Sequence, residues 1–255
     1  MNTPIVMAAF GTTTRAMETY EHMGKTFRAR FPENEIHWAY TSRTVKARRK
    51  TDRDMSHPWD VLERLADAGH EWAVVQSLHM MFGHEFNRLV EDARQSRIRT
   101  AMGLPLLCSP EDYAVVADAV APLFDKAPDE AVVLVGHGTD HPAWSTYTAL
   151  CLMLRQRHGT RAHVGVVEGG WPGRDDILRQ IEANGFHAVR LVPFMLVAGI
   201  HFVEDLAGEE DSWRADFEAR GIEVRLEKEG MGKCSAIQSL FAAHAAESLR
   251  IVEAR

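Results

Sequence analysis

Gly136-His137-Gly138 ends an apolar, β-branched run from Val132 to Val135, and turn residues follow it. A histidine so placed stands at the carboxyl end of a buried strand, where open α/β sheets bind ligands. Imidazole holds divalent transition metals and moves protons near neutral pH, so this position reads as a metal or acid–base site. The start of the chain repeats the pattern with different chemistry. Gly11 falls on Gly138, Thr12 on Thr139, Ala16 on Ala143, Thr19 on Thr146 and Tyr20 on Tyr147, while Phe10 falls on His137. A second pair of segments also aligns: Gly69 through Gly83-His84-Glu85-Phe86 lies over Gly185 through Gly199-Ile200-His201-Phe202, which sets Glu85 opposite His201. Two matches in one order predict an internal duplication. The alternative is the strand–glycine–helix grammar that all Rossmann-like units share.

The elements that must position these residues alternate regularly. Strands are predicted at Ile5–Phe10, Ile36–Tyr40, Trp72–Leu78, Thr100–Leu107, Ala131–Val135, Ala162–Val167, Ala188–Met195 and Glu223–Glu227. Helices are predicted at Thr14–Phe31, Pro58–Ala68, Glu85–Gln95, Pro110–Leu123, Trp144–Arg157, Asp175–Asn184 and Ser235–Ala254. Gly69 and Gly185 each follow a helix as terminating glycines do. The alternation predicts an α/β fold of two similar doubly wound parallel-sheet halves. The polar stretch Asp125–Asp129 reads as a linker, giving an N-terminal half at 1–125 and a C-terminal half at 126–255. A ligand site is expected in the cleft between halves.

Composition narrows the function classes. The chain has 255 residues, 45% of them hydrophobic, and a formal net charge of −7. No nucleic-acid partner is expected from that balance. Cys108, Cys151 and Cys234 are isolated, so neither a zinc ribbon nor a disulfide framework is expected. The N-terminus enters a strand-like run without a basic n-region, and no stretch reaches the length of a membrane span. A cytoplasmic protein with no membrane partner is the expectation. A basic stretch, Arg43, Lys46, Arg48, Arg49 and Lys50, has no counterpart in the second half. It reads either as a solvated helix face or as a surface that attracts an anionic substrate.

Several motifs together resemble one family. These are Phe10-Gly11-Thr12, Gln76-Ser77-Leu78-His79 with Gly83-x-Glu85, Gly103-Leu104-Pro105-Leu106-Leu107, Gly136-His137-Gly138, Val166-Val167-Glu168, Met195 through His201, and Asp211-Ser212-Trp213. In this order they are similar to the anaerobic cobalt chelatases of the CbiK type. Those are class II tetrapyrrole chelatases that insert Co2+ into sirohydrochlorin on the early-cobalt route to cobalamin. The resemblance covers nearly the whole chain. It implies a two-half α/β fold around a tetrapyrrole cleft and a metal chelatase, a lyase of tetrapyrrole (porphyrin-type) biosynthesis. Carried over by motif, His137 and His201 fall on the family's metal-binding and catalytic histidines. By the same resemblance, Glu168 falls on an acidic position that can complete the metal site, and Glu85 falls on a cleft carboxylate with an implied catalytic role.

Co2+ is the implied metal substrate, with Fe2+ or Ni2+ as alternatives and no organic cofactor. Sirohydrochlorin is the partner, and a homo-oligomer is compatible with the resemblance. Phe10 would wall the ring, and backbone N–H groups at Gly11, Thr12, Gly138 and Thr139 would meet ring carboxylates. His84 and Ile200 depart from the residues usual in the family; the first offers an extra ligand, the second a more apolar edge.

Other side chains have plainer readings. His79 reads as a hydrogen-bonded core histidine, and Met80, Met81, Met153 and Met195 as packing. His163, with His22, His37, His57, His70, His158, His187 and His244, reads as a surface or helix-face residue. Two other functions stay open. A carrier for cobalt or a tetrapyrrole would keep the ligands without turnover. A metal-assisted hydrolase would need a further phosphate or acyl site, and no P-loop, G-x-S-x-G or H-E-x-x-H supports one.

Overall fold

In the computed structural model, residues 2–11, 17–42, 56–199 and 202–255 are described. Their strands are β1 (Ile5–Ala9), β2 (Ile36–Tyr40), β3 (Trp72–Ser77), β4 (Arg99–Gly103), β5 (Ala131–Gly136), β6 (Ala162–Val166), β7 (Ala188–Pro193) and β8 (Glu223–Leu226). Their helices are α1 (Met17–Arg30), α2 (Pro58–Asp67), α3 (His84–Gln95), α4 (Pro110–Asp125), α5 (Ser145–His158), α6 (Arg174–Ala183), α7 (Trp213–Ala219) and α8 (Ser235–Glu253). The strands form two four-stranded sheets in the orders β2-β1-β3-β4 and β6-β5-β7-β8, and every recorded strand pair is parallel. Parallel strands are covered on both faces, which is why β1, β5 and β6 are buried along their whole length.

The chain divides into one compact unit of Met1–Cys108 with Ile237–Arg255 and another of Ser109–Ala236. The sequence reading divided it at 125/126, leaving α4 with the first sheet and α8 with the second; here each helix groups with the other sheet. Asp125–Asp129 is instead a turn within the second unit. The Arg161 guanidinium donates to the carbonyls of Phe124, Ala127 and Glu130 at 2.7, 2.6 and 3.0 Å and pins that turn down. A polar stretch marks the end of an element and need not mark the end of a domain.

The first unit packs Val6, Ala8, Val61, Leu62, Val75 and Leu89 into one core. Within it α8 is tied to α1 by Thr26 Oγ1 donating to Gln238 Oε1 at 2.5 Å. The second unit packs Val133, Val135, Ile177, Leu191, Trp213 and Phe217. It also buries a charged group, Glu130, which accepts from Arg190 at 2.5 Å and from Arg225 at 3.0 Å. A buried carboxylate is tolerable only when paired in this way.

The two units repeat one another bond for bond at the ends of their strands. The N–H of Leu78 donates to Ala8 O, and that of Phe194 to Val135 O. Thr41 and Ser42 donate to Ala9 O and Phe10 O; Val167 and Glu168 donate to Gly136 O and His137 O. Leu106 and Leu107 donate to His79 O and Met80 O; Met231 and Gly232 donate to Met195 O and Leu196 O. Gly83 donates to Met81 O and Gly199 to Val197 O. Gly69 and Gly185 both take positive φ, 88° and 72°, at the ends of their helices. Matching hydrogen bonds at equivalent strand ends show that the two units repeat one architecture, as the predicted duplication requires.

His163 departs from its expected surface position. It lies within β6 with no exposure, its Nε2 is 2.9 Å from Thr160 O, and burial holds its pKa down at about 4. The reason is the coverage of both sheet faces: in such a strand even a polar residue points into protein.

Candidate metal centre

His137 follows β5 and Glu168 follows β6, its sheet neighbour. The ladder continues past the strands, with Glu168 N–H donating to His137 O at 2.7 Å. His137 Nε2 stands 3.9 Å from Glu168 Oε1, and both side chains are about half exposed, at 48% and 60%. Gly138 makes this approach of two loops achievable. Its φ is +94°, and a Cβ there would lie 1.7 Å from the Glu168 carbonyl oxygen. At Gly169, φ +82°, a Cβ would lie 2.8 Å from the Thr139 carbonyl oxygen. The backbone geometry therefore fixes where the two side chains begin.

Beneath the His137 loop, Tyr147 on α5 accepts the Gly138 N–H at 3.0 Å. Tyr20 on α1 accepts the Gly11 N–H at 3.2 Å, the same bond in the other unit. Burial pushes the Tyr147 hydroxyl up to about 12 and the Tyr20 hydroxyl higher still, so both stay protonated. These bonds correct one expectation. The Gly11 and Gly138 N–H groups, assigned above to ring carboxylates, already have partners in the fold. Thr139 Oγ1 accepts the His141 N–H at 3.1 Å, which leaves the short turn Pro142–Trp144 to begin beside it.

Two exposed tryptophans flank these loops. Trp144 lies beyond His137 and Trp171 beyond Glu168, 42% and 52% exposed, with rings edge to face at 5.5 Å. Sequence reasoning passed over both. Their signal was a large aromatic within a few residues of each strand-end polar group.

In the first unit, Phe10 occupies the place of His137 and is 50% exposed. Ser42 occupies the place of Glu168 and is buried. Glu85 sits in the first turn of α3, where the helix dipole favours a carboxylate. Its Oε1 accepts from Arg88 at 2.6 Å, while Oε2 is buried without a hydrogen-bond partner. His201, Thr12 and the basic residues Arg43, Lys46, Arg48, Arg49 and Lys50 lie outside the described residues. The structure thus brings His137 together with Glu168.

Residues 3–250 match the family model described as Cobalt chelatase (CbiK). Over 228 residues the chain is 33% identical to the sirohydrochlorin cobaltochelatase of Salmonella typhimurium, covering 86% of this chain and 85% of that one. It is 36% identical over 232 residues to the sirohydrochlorin cobaltochelatase CbiKC of Nitratidesulfovibrio vulgaris, covering 86% and 80%. Among solved structures, SirB from Bacillus subtilis with Fe3+ matches with a TM-score of 0.71 at 16% identity, over 100% of this chain and 98% of SirB. At that identity the likeness is one of fold.

Proposed function

The chain belongs to the cobalt chelatase (CbiK) family, and from that premise we propose that it inserts Co2+ into sirohydrochlorin, with His137, Glu168 and His201 taking the metal. The observation that carries this reading is the approach of His137 Nε2 to Glu168 Oε1 at 3.9 Å on adjacent strand ends. Ligand atoms about 2.1 Å from one metal stand roughly 3.0–3.4 Å apart, so a small closing movement makes the two a pair of ligands. An imidazole and a carboxylate this exposed have no role in the core.

The chemistry then follows from what insertion requires. The ion must shed water, and the macrocycle must lose two pyrrole N–H protons. Neutral imidazole and carboxylate exchange for water around the ion, and a histidine or Glu85 accepts a pyrrole proton. Interactions that grow as the metal enters the ring lower the barrier more than those already made in the bound state. Trp144, Trp171 and Phe10 offer apolar faces to the macrocycle. The basic residues from Arg43 to Lys50 attract its carboxylates. A cytoplasmic setting belongs to this proposal, and Cys108, Cys151 and Cys234, none of them in a disulfide, support it.

The test mixes protein, sirohydrochlorin and Co2+ without oxygen and follows the visible spectrum. Repeated turnover above the uncatalysed rate is the expected result. A spectral change that stops at one equivalent of protein would make the chain a carrier.

A further inference from the structure

We propose that His79 is a positioning residue for Glu85: its imidazole keeps a proton on Nε2 and donates it to Glu85 Oε2 in the working complex. This rests on the reading of Glu85 as the carboxylate that takes a pyrrole proton.

The first support is a pair of orphaned atoms. His79 Nε2 and Glu85 Oε2 are both buried, and neither has a hydrogen-bond partner. Buried polar atoms without partners carry a desolvation cost and call for an explanation. One is a ring nitrogen, the other a carboxylate oxygen, and the two residues interact electrostatically. Hydrogen bonds at reacting groups are often long before substrate arrives and tighten in the complex.

The second support is a contact that suits a proton on Nε2. Ser77 Oγ accepts the His79 backbone N–H at 3.3 Å and lies 2.9 Å from Nδ1. With the hydroxyl proton turned to Nδ1, the ring's own proton stands on Nε2. Burial holds the His79 pKa down at about 4, against the pull of Glu85, so the ring is neutral at working pH. Such a ring donates one hydrogen bond and does not compete with Glu85 for the pyrrole proton.

The third support comes from the duplication. His79 O and Met195 O accept equivalent bonds from Leu106 and Met231, at 2.9 and 2.8 Å, so the two residues occupy one position in the two units. The fold is satisfied there by methionine, which shows that it needs no histidine. The unit with Glu85 carries His79; the unit whose sequence places His201 at the Glu85 position carries Met195. The strand end before His79 is also anchored. The Gln76 amide donates to Ser77 O at 2.7 Å and to Leu104 O at 2.9 Å, tying the end of β3 to the end of β4.

The experiment measures Co2+ insertion by the full chain and two variants. His79→Ala should lower kcat about 10-fold or more, the range seen when an orienting partner is removed. KM for sirohydrochlorin should stay within about twofold, the split expected for an interaction made in the transition state. His79→Gln, which places an amide N–H near Nε2, should recover most of the loss. Normal kcat in His79→Ala, or no recovery by His79→Gln in folded protein, overturns the proposal. If either variant fails to fold, 15N-histidine NMR of the unmodified chain decides. A neutral, Nε2-protonated ring whose resonance moves in Glu85→Gln supports it; an Nδ1-protonated ring, or one indifferent to Glu85→Gln, overturns it. Full turnover in Glu85→Gln removes the assignment of Glu85 and this inference with it. Loss there with an unchanged His79→Ala removes this inference alone.

Discussion

The end of β1 and the end of β5 are built on the same backbone bonds and carry different chemistry. At the first stand Phe10 and Ser42; at the second, His137 and Glu168. Each loop is held from beneath by a tyrosine that accepts a glycine N–H, Tyr20 to Gly11 and Tyr147 to Gly138. The difference therefore lies in a few side chains on a shared frame. A repeated unit supplies two sets of strand ends, and the residues at two positions set an imidazole beside a carboxylate in one and a phenyl ring beside a hydroxyl in the other. The scaffold fixes the places, and the residue types decide which of them can hold an ion.

The largest expected break of this asymmetry comes from the second unit. His137→Ala and His201→Ala should each reduce Co2+ insertion by about 100-fold or more, the scale of losing an acid–base group or its equivalent. Circular dichroism should stay unchanged. Phe10→Ala, at the mirrored position, should fall far less, and turnover measured on the three variants side by side shows whether the two ends are as unequal as their side chains.

Metal affinity sharpens the comparison. Glu168→Gln should weaken Co2+ binding without tetrapyrrole by at least roughly 10-fold, since even outer partners of a metal ligand cost that much. Glu85→Gln should bind Co2+ nearly as the parent does. Equal losses in anaerobic metal titrations would mean that the two carboxylates share one role.

Much of this was legible in the residues. All eight strands lie within a few residues of their expected places, because runs such as Val132–Val135 are apolar throughout and end at glycine. The duplication was visible in glycines and tyrosines, although the hydroxyl-to-glycine bond that links them was not, since it joins residues nine apart through a helix. Helix α7 went unseen. It has seven residues, too short for a periodic pattern, and its one clear signal was Ser212, whose Oγ caps it by accepting the Ala215 N–H at 3.0 Å. Among site residues, strand-end placement pointed to His137, and the family resemblance supplied Glu168. The unpartnered Nε2 of buried His79 was hidden, because a single histidine after an apolar run reads as a hydrogen-bonded core residue until its surroundings are known.

Stability changes come next. Gly138→Ala should cost about 1–3 kcal/mol and also weaken Co2+ binding, because the added Cβ meets the Glu168 carbonyl in a left-handed conformation. Gly170→Ala has the same hand of backbone, φ +83°, and open space around it, so its cost should be smaller. Denaturant unfolding of the two variants measures how much of the Gly138 effect is the contact with Glu168.

A smaller and graded effect is expected from pH. His79 and His163 place one buried neutral histidine in each unit, both with pKa about 4. Unfolded, each takes up a proton near pH 6.5. The stability they allow is complete above pH 6.5 and is lost as pH falls from there towards 4. His163→Gln should flatten that slope in thermal melts, and an unchanged slope would remove His163 from the account.

Cobalt K-edge X-ray absorption of the Co2+-loaded full chain, compared with His137→Ala and Glu85→Gln, tests the division of labour most directly. The account predicts two imidazoles on the metal in the parent and in Glu85→Gln, and one in His137→Ala. An imidazole count unchanged by His137→Ala, or one that falls in Glu85→Gln, would contradict it.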